Sequence, residues 1–372
     1  MKGKPMEIKI ARDDLKEGLH WTQNVVEKKT TKPILSNALL ECSGSKLKIS
    51  ATDLEVGVTV EVPAQVESEG KVAVPARSLY DIARESTADS ITIRHSEDHW
   101  LEIIAGASKF KVVGLSAEEF PTMPKMSEKN LLSLDAPAIK AMIVKTLFAV
   151  STDETKSGLN GLFLEVPAEK KLRMVATDGH RLSWAERPMS HAVSLSKGVL
   201  LPRKGVLELQ KLIQEEDGIL PLAIEGRNVM VQRGPVTLFI RLIEGDFPDY
   251  RQIMEIKHDQ IALLSKQAFV GALRRVSLLS QEQNRGVRLT FNSGQLELLC
   301  SNPDLGEARE ELECQYKGKH LQIGLNCRYL LDILSVLEDE TVKLELKDEI
   351  SPCVIRSEAD KGFFSLTMPM RL

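Results

Sequence analysis

Apolar and polar positions alternate over short runs of this chain, and between those runs the apolar positions fall into helical spacing. MEIKIA (6–11) alternates and predicts a strand. DDLKEGLHWTQNVVEK (13–28) places Leu15, Leu19, Thr22 and Val26 on one face and predicts a helix. A β-rich run, KLKISATDLEVGVTVEV (46–62), is followed by a second helical pattern in VPARSLYDIAR (74–84). Two more strand-like runs, ITIRHSEDHWLEII (91–104) and KFKVVGLS (109–116), complete the series. The same order then returns twice. Helical patterns in APAIKAMIVKTLFAV (136–150) and KQAFVGALRRVSLLS (266–280) precede the β-rich runs KLRMVATDGHRLSWAE (171–186) and QLELLCSNPDLGEAREEL (295–312). Second helices follow, marked by Val206, Leu209 and Ile213 and by Leu330, Ile333 and Leu337.

The recurrence is an internal repeat. SATD (50–53), VATD (175–178) and the weaker LCSN (299–302) are spaced by 125 and 124 residues. Pro75, Pro202 and Asn326 occupy one place at the start of each second helix. GLSAEEFP (114–121), RLIEGDFP (241–248) and SLTMP (365–369) form a third anchor, which sets Leu115, Leu242 and Leu366 each 40 residues beyond the second. These spacings predict three homologous units, 1–127, 128–255 and 256–372, joined by short linkers near 121–130 and 251–260. Strands around two helices per unit predict an α+β class with similar two-layer domains. Alternation along the strands predicts sheets with one wet face.

Aromatic residues make up only 5% of the 372, so the core must be built mostly from Leu, Ile and Val. The net charge of −4 argues against a protein that coats nucleic acid non-specifically, although a local basic surface is compatible with it. Five cysteines without a CxxC pair argue against a disulfide framework or zinc knuckle and fit a reducing cytoplasm. The N-terminal MKGKPMEIKI lacks an apolar signal region, and no apolar run approaches a membrane span.

VATDGHRLSW (175–184) crowds Asp178, His180, Arg181 and Ser183 together, the residue types of acid, base and nucleophile. Triad members come from separated loops, and these lie too close in sequence. Asp178 also recurs as Asp53 in ATDLEVG, where no His follows, so a turn that bonds nearby backbone amides is the simpler role. No GxSxG elbow, phosphate loop, HExxH, EF-hand or dinucleotide fingerprint occurs. His95 and His99 lack a third metal ligand nearby. No catalytic residue, metal or cofactor is therefore expected. Two rivals remain: a hydrolase using His180 and Asp178, and a repeat scaffold that binds peptides but not DNA.

The triplication, with TDGHRL (177–182), GDFPDYR (245–251) and the ending MPMRL (368–372), resembles the bacterial sliding clamps, the beta subunits of DNA polymerase III. The resemblance covers nearly the whole chain. It implies the DNA clamp fold: two chains paired head-to-tail into a ring, helices lining the hole and sheets outside. It further implies a non-catalytic processivity factor that encircles double-stranded DNA without sequence preference and tethers polymerase and clamp-loader subunits by short linear motifs. On that view an acidic exterior keeps the protein from adhering to DNA while the lumen attracts phosphates. By the resemblance, Lys29, Arg77, Arg84, Arg203 and Lys204 face DNA, with Arg274 and Arg275 as further candidates. It also places Leu159, Thr177, Gly179, His180, Arg181, Leu182, Pro248, Ile253, Leu366, Met368, Pro369, Met370, Arg371 and Leu372 in a peptide groove. Within that set Leu, Ile and Pro supply a dry floor, the methionines re-pack for different partners, and His180 and Arg181 orient polar ends of the peptide. Phe110 and Val112 on one side, and Leu278 and Leu279 on the other, are assigned to the dimer interface. Lys156, Ser157 and Gly158 stand where family members often carry an Arg and two tyrosines, so the sequence leaves open whether the loop 153–161 stacks on single-stranded DNA.

Overall fold

The computed structural model describes residues 6–27, 31–95, 99–124, 131–153, 155–156, 158–195, 197–214, 218–280 and 285–371. Its helices are α1 (Arg12–His20), α2 (Ala76–Glu85), α3 (Ala136–Thr146), α4 (Arg203–Leu212), the short α5 (Arg251–Met254), α6 (Lys266–Val276) and α7 (Cys327–Val336). The chain divides into two compact units, residues 1–133 with 207–242, and residues 134–206 with 243–372.

The first helix of each copy is shorter than its apolar periodicity predicts, for a local chemical reason. The Thr22 hydroxyl donates to the Leu19 carbonyl at 2.7 Å, and the Gln23 side-chain amide donates to the same oxygen at 3.1 Å. The Gln23 backbone amide then bonds His20 instead, so α1 tightens into a turn, as side chains that compete for backbone groups cause. Val25 and Val26 stay buried although they are no longer helical. Likewise α3 and α6 end at Thr146 and Val276 and run on as single 3-10 turns, Leu147–Ala149 and Ser277–Leu279.

In the first unit, a five-stranded antiparallel sheet runs in the order Gln65–Ser68, Glu7–Ala11, Ser90–His95, Trp100–Ala105, Ser108–Val113. An eight-stranded sheet runs Leu131–Asp135, Ile219–Glu225, Asn228–Arg233, Val236–Arg241, Val56–Pro63, Lys46–Thr52, Asn37–Ser43, Gly70–Pro75. At its centre Val236–Arg241 of the middle copy pairs with Val56–Pro63 of the first, in the register Val236↔Val60 to Ile240↔Val56.

The second unit repeats the device. Its nine-stranded sheet is continuous because Arg181–Pro188 of the middle copy pairs with Phe363–Thr367 of the last, in the register Arg181↔Thr367 to Ala185↔Phe363. A four-stranded sheet runs Gly306–Glu313, Gln295–Asn302, Gly286–Asn292, Leu321–Asn326. Val56–Pro63, Arg181–Pro188 and Gly306–Glu313 are equivalent strands of eight residues each. α1, α3 and α6 pack on them in turn. The buried Lys145 on α3 bonds Asp360 at 2.5 Å, and Arg187 reaches the same carboxylate, so the seam is tied from its helical side as well.

The third sequence anchor requires correction. In each copy the chain leaves its last strand and bonds the edge of the other sheet: Leu115 N–H to Ala73, Ile243 N–H to Leu200, and Met370 N–H to Gly324. The equivalent residues are therefore Leu115, Ile243 and Met370, not Leu115, Leu242 and Leu366. Two-residue loops, 106–107 and 234–235, precede the last strand in the first two copies, whereas the loop 357–362 in the third has six residues. The equal spacing of 40 had absorbed that insertion.

Candidate functional site

The Asp of each ATD segment builds a turn. Asp53 Oδ1 accepts from the amides of Glu55 (2.9 Å) and Val56 (2.7 Å), and Asp178 Oδ1 accepts from those of His180 (2.9 Å) and Arg181 (3.0 Å). Thr52 and Thr177 each donate from the hydroxyl to the carbonyl four residues on. The second residue of both turns has positive φ, +78° at Leu54 and +89° at Gly179; only the glycine adopts this without strain. Asn302 in the third copy bonds Asp304 in a related way. This arrangement supplies no nucleophile. Ser183 donates its hydroxyl to the Lys145 carbonyl and is fully buried, and among the described residues no three side chains could hold a metal.

Removing the Asp178 carboxylate should therefore cost stability. We expect Asp178→Ala to lose about 2 kcal/mol, seen by calorimetry as a midpoint lower by about 5 °C. An unchanged midpoint would mean that the turn holds without it.

Beyond the turn, Arg181 behaves differently from its sequence expectation. Its side chain is buried: Nε meets Asp178 at 3.0 Å, Nη1 meets Asp332 on α7 at 2.6 Å, and the guanidinium lies 4.4 Å from the Tyr329 ring centroid. Arg181 thus ties the turn of the middle copy to the last helix of the third. His180 stays exposed at the lip, next to Gly179.

The floor beside that lip is the seam itself. Val175, Leu182, Tyr250, Val354, Phe364 and Leu366 form one buried cluster, with Phe163, Trp184, Phe247, Ile253 and Met254 packed against it. Among the expected groove residues, Thr177, Leu182 and Leu366 are buried; Leu159, Ile253, Pro369 and Met370 are half-buried; and Pro248, Met368 and Arg371 are exposed. Leu372 lies outside the described residues. Two backbone bonds hold the C-terminal stretch: Met368 N–H to the His180 carbonyl at 2.8 Å and Met370 N–H to that of Gly324 at 2.9 Å. The apolar floor, the Gly179–His180 lip and the methionine-bearing end therefore come together. Sequence reasoning missed Phe163, Trp184, Phe247, Tyr250, Val354 and Phe364, and also Asp332 and Tyr329. Of these, Phe247 and Tyr250 fall in the GDFPDYR motif and Trp184 ends VATDGHRLSW; the others lie outside both.

The candidate DNA-facing residues fall on helices. Arg77 and Arg84 are exposed on α2; Arg84 is held by Asp81 (3.0 Å) and Glu85 (2.9 Å). Arg203 is exposed and Lys204 half-buried at the start of α4. Arg274 is exposed on α6, while Arg275 is bonded to Glu310. Lys29 lies outside the described residues.

Of the candidate interface residues, Phe110 is 39% exposed on the edge strand Ser108–Val113, with Val112 half-buried beside it. Leu278 is 77% exposed and Leu279 half-buried in the turn after α6, which packs on Gly306–Glu313.

Repeated two-layer units joined sheet-to-sheet, with an apolar cluster at one seam, define a protein of the DNA clamp fold. The chain matches the DNA polymerase III beta subunit N-terminal domain over residues 6–124, its central domain over 133–249 and its C-terminal domain over 251–371. The chain belongs to the DNA polymerase III beta subunit family, the beta sliding clamps. It is 35% identical to the beta sliding clamp of Caulobacter vibrioides, covering 99% of this chain and 100% of that one. Among solved structures it is similar to a DnaN sliding clamp from Bartonella birtlesii bound to griselimycin (TM-score 0.94, 35% identity). The DNA polymerase III beta subunit from Pseudomonas aeruginosa is also similar (TM-score 0.92, 34% identity). In both comparisons 99% of this chain and 100% of the other is covered.

Proposed function

We propose that two copies of this chain close head-to-tail into a ring that encircles duplex DNA and tethers polymerase and clamp-loader subunits through the seam groove. On this proposal the chain is a non-catalytic, cytoplasmic processivity factor built of three domains, 1–127, 128–255 and 256–372.

One observation carries the ring. Both internal seams pair the strand after an ATD turn with the last strand of the next copy. The same rule leaves two partners unused: Gly306–Glu313 at the edge of the four-stranded sheet and Ser108–Val113 at the edge of the five-stranded sheet. These complement each other, so a second copy can supply each missing neighbour. Carrying over the register of the two seams sets Gly306 against Val112, Glu307 against Lys111, Ala308 against Phe110 and Glu310 against Ser108. The faces agree. Phe110 and Val112 lie beside the buried Ile103 and Leu101, and Ala308 lies beside the buried Cys300. Lys111 and Glu307 fall on the opposite face, where unlike charges support pairing. A heterologous contact of this kind forms either a closed ring or an open filament; closure after two chains is what the family resemblance implies.

Enclosure removes the need for tight base contacts. Arg77, Arg203 and Arg274 would attract phosphates without reading sequence. The experiment compares nicked circular with linear DNA. After loading by a clamp loader, the protein should co-elute with the circle and be released when the circle is cut. Equal retention on both forms, or none on the circle, would overturn the ring. A scaffold that binds only peptides would give the second outcome, with peptide binding preserved. Turnover lost in His180→Ala would instead favour a hydrolase.

A further inference from the structure

The motif GDFPDYR lies on the linker that walls the groove, yet the groove assignment uses only Pro248 from it. Its aromatic and charged residues converge on one buried carboxylate. Phe247 stacks on Phe163 with ring centroids 4.8 Å apart, and Tyr250 meets Phe247 edge-on at 6.2 Å. Tyr250 is 3% exposed, and its hydroxyl donates to Glu165 Oε1. Arg173 donates to the same oxygen at 2.9 Å, and Arg251 donates to Oε2 at 2.8 Å. Arg173 is itself held in plane by Glu186 at 2.7 Å and lies 5.1 Å from the Trp184 ring centroid. Glu165 stands on the strand Gly161–Ala168, far from the linker in sequence, and is 8% exposed.

We propose that Glu165 is a positioning residue for peptide docking: through Tyr250 and Arg251 it fixes the linker, and with it Pro248 and Ile253, as one wall of the groove. The inference rests on the peptide-groove assignment above and concerns what holds that groove in shape. A carboxylate suits this place because every neighbour is a donor, and an ionised carboxyl accepts only. Charge-assisted bonds of this kind are the strong ones. The tyrosine remains a neutral donor throughout, since burial and the bond to Glu165 push its pKa up to about 12. Tyr250 and Arg251 lie at the start of the short α5, which carries Ile253. Loosening them moves the wall while leaving the seam strands paired.

Glu165→Gln tests this. The amide keeps the shape but turns one acceptor into a donor that faces donors. Affinity for a synthetic acetylated Gln-Leu-Ser-Leu-Phe peptide, measured by calorimetry, should fall about tenfold, and Tyr250→Phe should move it the same way. Dimer dissociation should not change. The cycle with Ile253→Ala separates positioning from general loosening. If Glu165 acts through the wall, Glu165→Gln adds little once Ile253 is truncated, whereas additive losses would mean an unspecific effect and overturn the inference. Unchanged affinity in both single variants would also overturn it. Failure of the unaltered protein to bind the peptide would sink the groove assignment itself.

Discussion

Phe110→Asp is expected to leave a folded monomer that no longer forms rings. Phe110 is partly exposed on an edge strand, so the isolated chain loses little by the change. In the proposed pairing its side chain lies against Ala308, beside the exposed Leu278, and becomes buried. An unpaired carboxylate there should cost about 3–5 kcal/mol, which raises the dissociation constant by more than about a hundredfold. Sedimentation velocity would read this as a shift to the monomer at concentrations where the unaltered protein is dimeric. Retention on nicked circles should disappear with it. The register is tested separately. Lys111→Glu should weaken the dimer by juxtaposing two carboxylates, and adding Glu307→Lys should restore it. A dimer insensitive to Phe110→Asp would place the interface elsewhere. Loss without rescue in the charge swap would move the register while keeping the edge.

Deleting Met368–Leu372 should abolish peptide docking and spare the dimer. The deletion removes the backbone bonds to His180 and Gly324 and strips two methionines from the edge of the apolar floor. It leaves Phe363–Thr367 paired with Arg181–Pro188, and it leaves both free edges intact. We expect affinity for the same peptide to fall by at least about a hundredfold with an unchanged sedimentation coefficient. Retained affinity would move the groove away from the chain end. Loss of the dimer would mean that the last residues support the seam more than their two bonds suggest.

Much of this architecture was legible in the chain. Apolar period distinguished strands from helices because each element shows one face to a core. Repetition of ATD at matched spacing exposed the copies and led correctly to a turn Asp, because such a residue can satisfy amides within its own few residues. Helix ends were less legible: Thr22, Gln23 and Thr146 compete for carbonyls only after a helix has formed. The third anchor slipped because a longer loop can hide inside an evenly spaced alignment.

The proposed groove shows the other limit. His180, Gly179 and Met368 stood out in the sequence, but the partners that hold the site in place did not. Arg181 finds Asp332 across 151 positions, and Tyr250 finds Glu165 across 85. No local pattern encodes such pairs; they arise where two strands or a linker and a sheet are brought into register.

The sequence by itself determined the repeating order of elements, the turn chemistry and the absence of a recognisable catalytic motif, because these depend on neighbours within a few residues. Only the tertiary structure decided which strands meet at the seams, which carboxylates take up Arg181 and Tyr250, and which two edges stay open. Those outcomes depend on distances between residues far apart along the chain, 85 positions for Tyr250 and Glu165 and 151 for Arg181 and Asp332, and hydrogen-bond register settles them only once the sheets have assembled.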